Sequence, residues 1–271
     1  MLDLDKLAAI AGRPGNDNMR SILAGLDAHG RAAGLDQPHR LAQYLGQLAH
    51  EMGGFRWDEE LWGPTAAQRR YDTRTDLGNT AAADGDGYLY RGRTGIHITG
   101  KANTRAFRDW CRAEVDPAAP DFVADPDLMN TDPWEGLGPI WYWQSRDLNR
   151  YADQGDIEMV TRRINGGLNG YTDRLAFYSR AALVLLGYGP EAVRRFQDDA
   201  GLAVDGIAGP KTRAALHREL VAVGELAAEP DLPAELPEVE APAGLTLEAA
   251  IYRMNKAEAQ LRQIGAIIAA A

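Results

Sequence analysis

LAQYLGQLAHEMGGFRWDEELW, residues 41–62, sets the reading of the whole chain. Leu41, Tyr44, Leu45 and Leu48 recur at helical spacing, so the stretch opens as an amphipathic helix. The pattern runs into Glu51 and then Gly53-Gly54, where paired glycines end or break a helix. A second acidic group, Asp58-Glu59-Glu60, follows between Trp57 and Trp62. On one unbroken helix Glu51 and Glu60 would lie about 13 Å apart. With the chain turned at the glycines they can face each other across a cleft.

Two carboxylates on opposite cleft walls suit glycoside hydrolysis, in which one acid protonates the leaving oxygen and the other acts as base or nucleophile. Acidic pairs are more commonly solvated surface groups. Glu51, however, closes an apolar helix, and partial burial is how a carboxylate keeps its proton near neutral pH. A zinc-protease reading fails: His50-Glu51 begins H-E-x-x-H, but Gly54 stands where the second His belongs. No metal and no cofactor are expected.

At 271 residues the chain holds one good-sized core and something smaller. One cysteine, Cys111, excludes an intramolecular disulfide framework, and its expected role is that of a small buried hydrophobe. The start, MLDLDKLAAIAGRPGN, lacks the basic n-region of a signal peptide, and no apolar run reaches the length of a membrane span. The expectation is a protein held in the cytoplasm until it is released to its target. The net charge of -10 is uneven: residues 222–246 carry six acids and no base. Nothing forms the basic face of a nucleic-acid binder.

Along the chain, helices are expected over Leu2–Ala11 and Asp17–His29, with Gly30 and Gly34 as stops. Residues 57–90 read as loop-rich, a cleft wall or lid. Ile96, His97 and Ile98 suggest a short extended piece, and Lys101 starts a helix with Phe107 and Trp110 on its buried face. His97 reads more readily as a satisfied structural histidine than as an acid/base group. Asp132–Tyr151 is expected to be helical, with Trp141 and Trp143 more at home in the core than as sugar platforms. Ile157, Val160 and Ile164 mark a further helix ended by Asn165-Gly166-Gly167, and Tyr171 to Leu186 another.

AHEMGGF (49–55), the acidic pair before Trp62, YRGRTGIHITG (90–100) and RRINGGLNGYTDR (162–174) stand in the order found in family 19 glycoside hydrolases. Over residues 35–188 the chain resembles that family, most of all its phage-type endolysin branch. The resemblance implies a mostly α, lysozyme/chitinase-like catalytic domain with a deep cleft that works by inversion. It implies Glu51 as general acid, Glu60 as the base that activates water, with Glu59 the second choice, and Thr99 as a holder of that water. Tyr90, Arg91, Asn165 and Arg174 match polar or supporting positions of the cleft. His97 stands where the family usually has Gln, and Thr104, after Asn103, where it often has Tyr; His97 and Asn103 are expected near substrate.

AVRRFQDDAGLAVDGIAGPKTRAAL (192–216) resembles the second half of the peptidoglycan-binding domain of bacterial wall hydrolases. About 30 residues do not fold alone, so this piece is expected to complete its core against the helix ending near Leu186. The expected organisation is a catalytic domain over 1–188, a partial wall-binding module over 189–221, an acidic Pro/Ala-rich linker over 222–246 and a C-terminal amphipathic helix over 247–271. In that last segment Ala250, Met254, Ala257, Leu261, Ile264 and Ile268 form a heptad seam, suited to self-association or to docking back on the protein. The reading that follows is an endolysin. It hydrolyses β-1,4 bonds between N-acetylmuramic acid and N-acetylglucosamine, with the peptidoglycan glycan strand as partner. The alternatives are a chitinase acting on N-acetylglucosamine polymer and an inactive glycan-binding protein.

Overall fold

The central element is the helix over Pro38–Glu51, and the other helices are laid around it. The computed structural model describes residues 2–60 and 62–227. The expected tail helix over 247–271 and most of the expected linker lie outside the described residues.

In chain order the helices are α1 (Leu4–Ala11), α2 (Asp17–Gly25), α3 (Pro38–Glu51), α4 (Ala66–Tyr71), α5 (Asp86–Leu89) and α6 (Lys101–Glu114). They continue with α7 (Trp134–Ser145), α8 (Asn149–Ala152), α9 (Ile157–Asn165), α10 (Tyr171–Leu185), α11 (Val193–Asp199) and α12 (Pro210–Ala227). Among the described residues there is no strand, only isolated bridges from Arg93 to Glu59 and to Ile98. No described helix is long and apolar enough to cross a membrane.

The expected helices at both ends of the catalytic part are present. Asp3 and Asn16 cap α1 and α2 by accepting from Lys6 and Met19 backbone N–H groups. A π-helical turn over Leu26–Gly30 carries α2 on to the glycine stop. Between Asp132 and Tyr151 the chain forms two helices rather than one, α7 and α8, broken at Arg146–Leu148. Trp141 and Trp143 are both buried.

α3 departs from the amphipathic expectation. Besides Leu41, Tyr44, Leu45 and Leu48 it buries Gln43 and Gln47. Its polar face is covered because each amide nitrogen finds an acceptor, Gln43 Nε2 donating to the Ala152 carbonyl and Gln47 Nε2 to Thr161 Oγ1, although Gln43 Oε1 is buried with no partner among the described residues. Gly46 lets α10 pass close by, since a Cβ there would lie 2.9 Å from Tyr178 Cα. That contact fixes α10, and so the residues at its start, against the end of α3.

The expected extended piece at 96–98 is a tight turn. Thr94 and His97 adopt left-handed φ values of 63° and 55°, and Arg93 and Ile98 bridge beneath them. Arg93, fully buried, holds the turn by donating to the Leu89 and Arg91 carbonyls and to Asp127. The wall over 57–90 contains two short helices, α4 and α5. Four and six residues are too few to leave a periodic signal, but Thr65-x-x-Gln68 forms the capping box that starts α4.

α11 and α12 do not stand apart. Phe196, Ala215, Leu216 and Leu220 join the same apolar cluster as α3 and α10. Tyr188, just after α10, packs edge-on against Phe196 at 5.7 Å. Gln197 ties the intervening loop together: its amide donates to Asp205, Thr212 and the Ile207 carbonyl, and its oxygen accepts from Gly206 N–H. α12 continues as helix to Ala227, into the stretch expected as linker.

Candidate active site

Glu51 is the last residue of α3, and the chain reverses behind it. Gly53, Gly54 and Phe55 all take left-handed φ values, between 57° and 75°, which sends Trp57 to Glu60 back along the other side of a cleft. Glu51 and Glu60 thereby line one cavity of about 370 Å³, with Trp57, Trp62, Gln68, Tyr71 and His97. A second cavity, about 310 Å³, shares Glu60, Tyr71 and His97 and extends past Thr99 and Asn103 to Trp141, Tyr142 and Arg146. The two form one groove with Glu60 and His97 at its middle.

The two carboxylates are held differently. Glu51 Oε1 accepts from Arg174 Nη2 at 2.5 Å, and Arg174 also donates to Gln47 Oε1 and the Asn169 carbonyl. Arg174 is fully buried, so a continuous polar relay, Thr161–Gln47–Arg174–Glu51, runs out of the helical core to the cleft. Immediately beside Glu51, His50 pairs with Asp173 at 2.6 Å, a second tie between α3 and α10. Glu51 is not sealed in apolar surroundings as its helix suggests: its side chain is 21% exposed and bonded to a guanidinium.

On the opposite wall Glu59 and Glu60 separate by environment. Glu59 is ion-paired with Arg91 at 3.0 Å, and Arg91 stacks on the Tyr88 ring. Among the described residues the Glu60 carboxylate accepts only from a neutral donor, Gln68 Nε2 at 2.8 Å, while its backbone N–H is fixed on the Gly92 carbonyl and its own carbonyl accepts from Arg91 Nε at 3.2 Å. A Cβ at Gly92 would meet both His97 Cβ at 3.0 Å and Glu60 Cγ at 3.3 Å, so glycine there lets these two side chains approach each other. Thr99 Oγ1 donates to the His97 carbonyl at 2.9 Å, and Asn103 Nδ2 to the Thr99 carbonyl at 2.8 Å. The Thr99 oxygen keeps its lone pairs for a ligand.

Glu51, Glu60, His97, Thr99 and Asn103 therefore lie along the groove. The other positions expected at substrate do not line it. Tyr90 is buried with its hydroxyl on the Val123 carbonyl, and Arg91 stands behind Glu59. Arg174 reaches the groove only through Glu51. Asn165 is exposed beyond Ile164, its oxygen accepting from Asn169. Sequence reasoning gave no role to Gln68, Tyr71, Tyr142 or Arg146; of these only Gln68 carried a local signal, its capping box.

The carboxyl most strongly pushed up lies elsewhere. Glu135, at the crossing of α2 and α7, is raised to about 8 by burial and by the charge of Asp58. It lines neither cavity. Among the described residues no group of His, Cys, Asp and Glu side chains is placed to hold a metal ion. Cys111 is buried, which pushes its thiol up and makes it inert as a nucleophile.

A Haemophilus influenzae protein described as a glycosyl hydrolase family 19 domain-containing protein is 33% identical over 192 residues, which are 61% of this chain and 90% of that one. A family model for a putative peptidoglycan binding domain matches residues 190–216. Among solved structures the fold is similar to chitinase C from Streptomyces griseus HUT6037, with a TM-score of 0.52 at 17% identity over 69% of this chain and 77% of that one. It is equally similar to a bacterial family 19 chitinase, with a TM-score of 0.52 at 19% identity over 69% and 96% of the two chains.

Proposed function

The chain belongs to glycosyl hydrolase family 19 and is a glycoside hydrolase, and from that premise we propose that it acts as an endolysin on the glycan strands of peptidoglycan. The bond cut is the β-1,4 link between N-acetylmuramic acid and N-acetylglucosamine. The observation that carries the mechanism is that Glu51 and Glu60 line one cavity from opposite walls. Glu51 protonates the departing oxygen, and Glu60 draws a proton from a water that attacks the far face of the sugar. The reaction inverts the anomeric carbon in a single displacement and needs room for that water, about 6.5–9.5 Å between the carboxyls.

Glu60 suits the base better than Glu59, because Glu59 spends its charge on Arg91. Thr99, beside Glu60 in the same cavity, offers its oxygen to the water. Arg174 positions Glu51 rather than touching the sugar. Trp57 and Trp62, both exposed at one end of the groove, offer flat apolar faces to sugar rings.

The wall, rather than chitin, is favoured by the match of residues 190–216 to a peptidoglycan binding domain. Digestion of purified peptidoglycan and of N-acetylglucosamine oligomers in parallel, with mass analysis of reducing ends, tests this. Reducing-end muramic acid from the wall supports the assignment, and reducing-end glucosamine moves the cut to the other bond. Turnover of the oligomers alone makes the protein a chitinase.

A further inference from the structure

A third cavity, about 440 Å³, lies away from the groove, where α12 meets the start of α9 and the first turns of α10. Its walls include Asp156, Glu158, Tyr171, Tyr178, Arg213 and Arg218. It exists only because the module helix docks on the catalytic helices, so neither part alone contains it.

Three features distinguish it from a packing gap. Tyr178 is only 3% exposed, yet among the described residues nothing hydrogen-bonds its hydroxyl. The hydroxyl is not sealed off: its oxygen opens into the cavity and is free to meet a ligand there. Arg213 is half-buried, and its one described bond is to its own helix start, the Ala208 carbonyl. Neither Arg213 nor Arg218 is ion-paired among the described residues. Of the two acids, Glu158 pairs with Arg162 on its own helix at 2.9 Å and Asp156 caps α9, so the aromatic-walled pocket holds two guanidinium groups with no acid paired to them among the described residues.

We propose that this cavity binds a short peptide carrying both carboxylates and a free amine, the chemistry of the peptide stems on peptidoglycan strands. The inference rests on the reading of the protein as a wall hydrolase. An uncharged N-acetylglucosamine polymer would desolvate the two acids and two arginines without replacing their solvation. A peptide with charges of both signs replaces it, with its carboxylates on Arg213 and Arg218 and its amine on Asp156 Oδ2 and Glu158 Oε2, the oxygens that Met159 N–H and Arg162 leave open. The reach also fits. Glu158 lines this cavity and Ile164 lines the groove, six residues apart on α9, a rise of about 9 Å. An extended peptide covers roughly 3.3–3.6 Å per residue, so three or four residues bridge from a sugar in the groove to the pocket.

The test is calorimetric titration of the full-length protein with a free synthetic tetrapeptide bearing two carboxylates and a side-chain amine, beside tri-N-acetylglucosamine as control. Wild type binds the peptide, and Arg218→Glu, an exposed change, weakens it by at least about tenfold while the sugar affinity moves less than about twofold. Tyr178→Phe, which removes one oxygen, weakens the peptide alone. With whole peptidoglycan as substrate, Arg218→Glu raises KM and leaves kcat in place. Absence of peptide binding by wild type at 10 mM (on the order of the weakest useful site), or equal binding by Arg218→Glu, overturns the proposal. Peptide binding by a protein that cleaves no wall would leave the pocket standing and remove the hydrolytic reading instead.

Discussion

The two walls of the groove reach the same end by different means. Glu51 sits on the central helix and is tied to the core through Arg174, Gln47 and Thr161, all of them buried. Glu60 sits on irregular chain; one side-chain amide holds its carboxylate, and bonds to the Gly92 carbonyl and from Arg91 hold its backbone. The helical wall couples position to global stability, whereas the loop wall can lose its support while the fold stands. Such a division suits a site in which one carboxyl must stay fixed and the other must share its space with water.

The largest effect expected is on turnover. Glu51→Gln and Glu60→Gln each lower kcat by about a thousandfold or more with melting temperature nearly unchanged, read by reducing-end release and calorimetry. Near-normal turnover in either variant removes that residue from the pair. The supports should then behave unequally. Arg174→Ala leaves Gln47 unsatisfied and a hole in the core, so it costs on the order of 3 kcal/mol in denaturant unfolding as well as activity. Gln68→Ala loses a capping box and costs about 1 kcal/mol, yet slows turnover at least tenfold because Glu60 is no longer oriented. Equal stability losses would erase the contrast between the walls.

How far this was legible in the sequence follows the same division. The helical wall announces itself: Leu41, Tyr44, Leu45 and Leu48 give the helix and Gly53-Gly54 its end, and the four ordered motifs give the family and the fold. What periodicity could not show is that α3 is buried all round, because the burial of Gln43 and Gln47 depends on partners more than 100 residues away. The loop wall was less legible. The turn over 94–97 reads as an extended Ile-His-Ile because the left-handed residues, Thr94 and His97, are not glycines. They are held there by Arg93, and no local rule links that arginine to Asp127. Tyr90, Arg91 and Arg174 match the family by position in a motif, and position does not tell a side chain that faces substrate from one that stands behind it.

Two smaller effects sharpen the comparison. Glu135, on α7 and within reach of the charge of Asp58 on the loop wall, has its carboxyl raised from the ordinary range to about 8. Its folded form holds a proton that the unfolded chain has lost, so stability falls as pH climbs from about 4.5 towards 8. Glu135→Gln should therefore gain on the order of 2–3 kcal/mol over wild type at pH 7 and little at pH 4, read from denaturant midpoints across pH. A gap that does not widen with pH contradicts the assignment. On the loop wall Trp62, 78% exposed, should be replaceable by Ala without loss of stability. The expected change is a rise in KM of about fivefold from the lost sugar platform.

The central claim is that water attacks directly, with Glu60 as base and Glu51 as acid. Proton NMR of the first products, recorded before mutarotation, tests it on any oligosaccharide the protein cleaves. Cleavage of a β-linked strand that first yields the α-anomer is the predicted result. A β-anomer appearing first would mean retention through a covalent or substrate-assisted intermediate, and would contradict the assignment of Glu60 as a base acting on water.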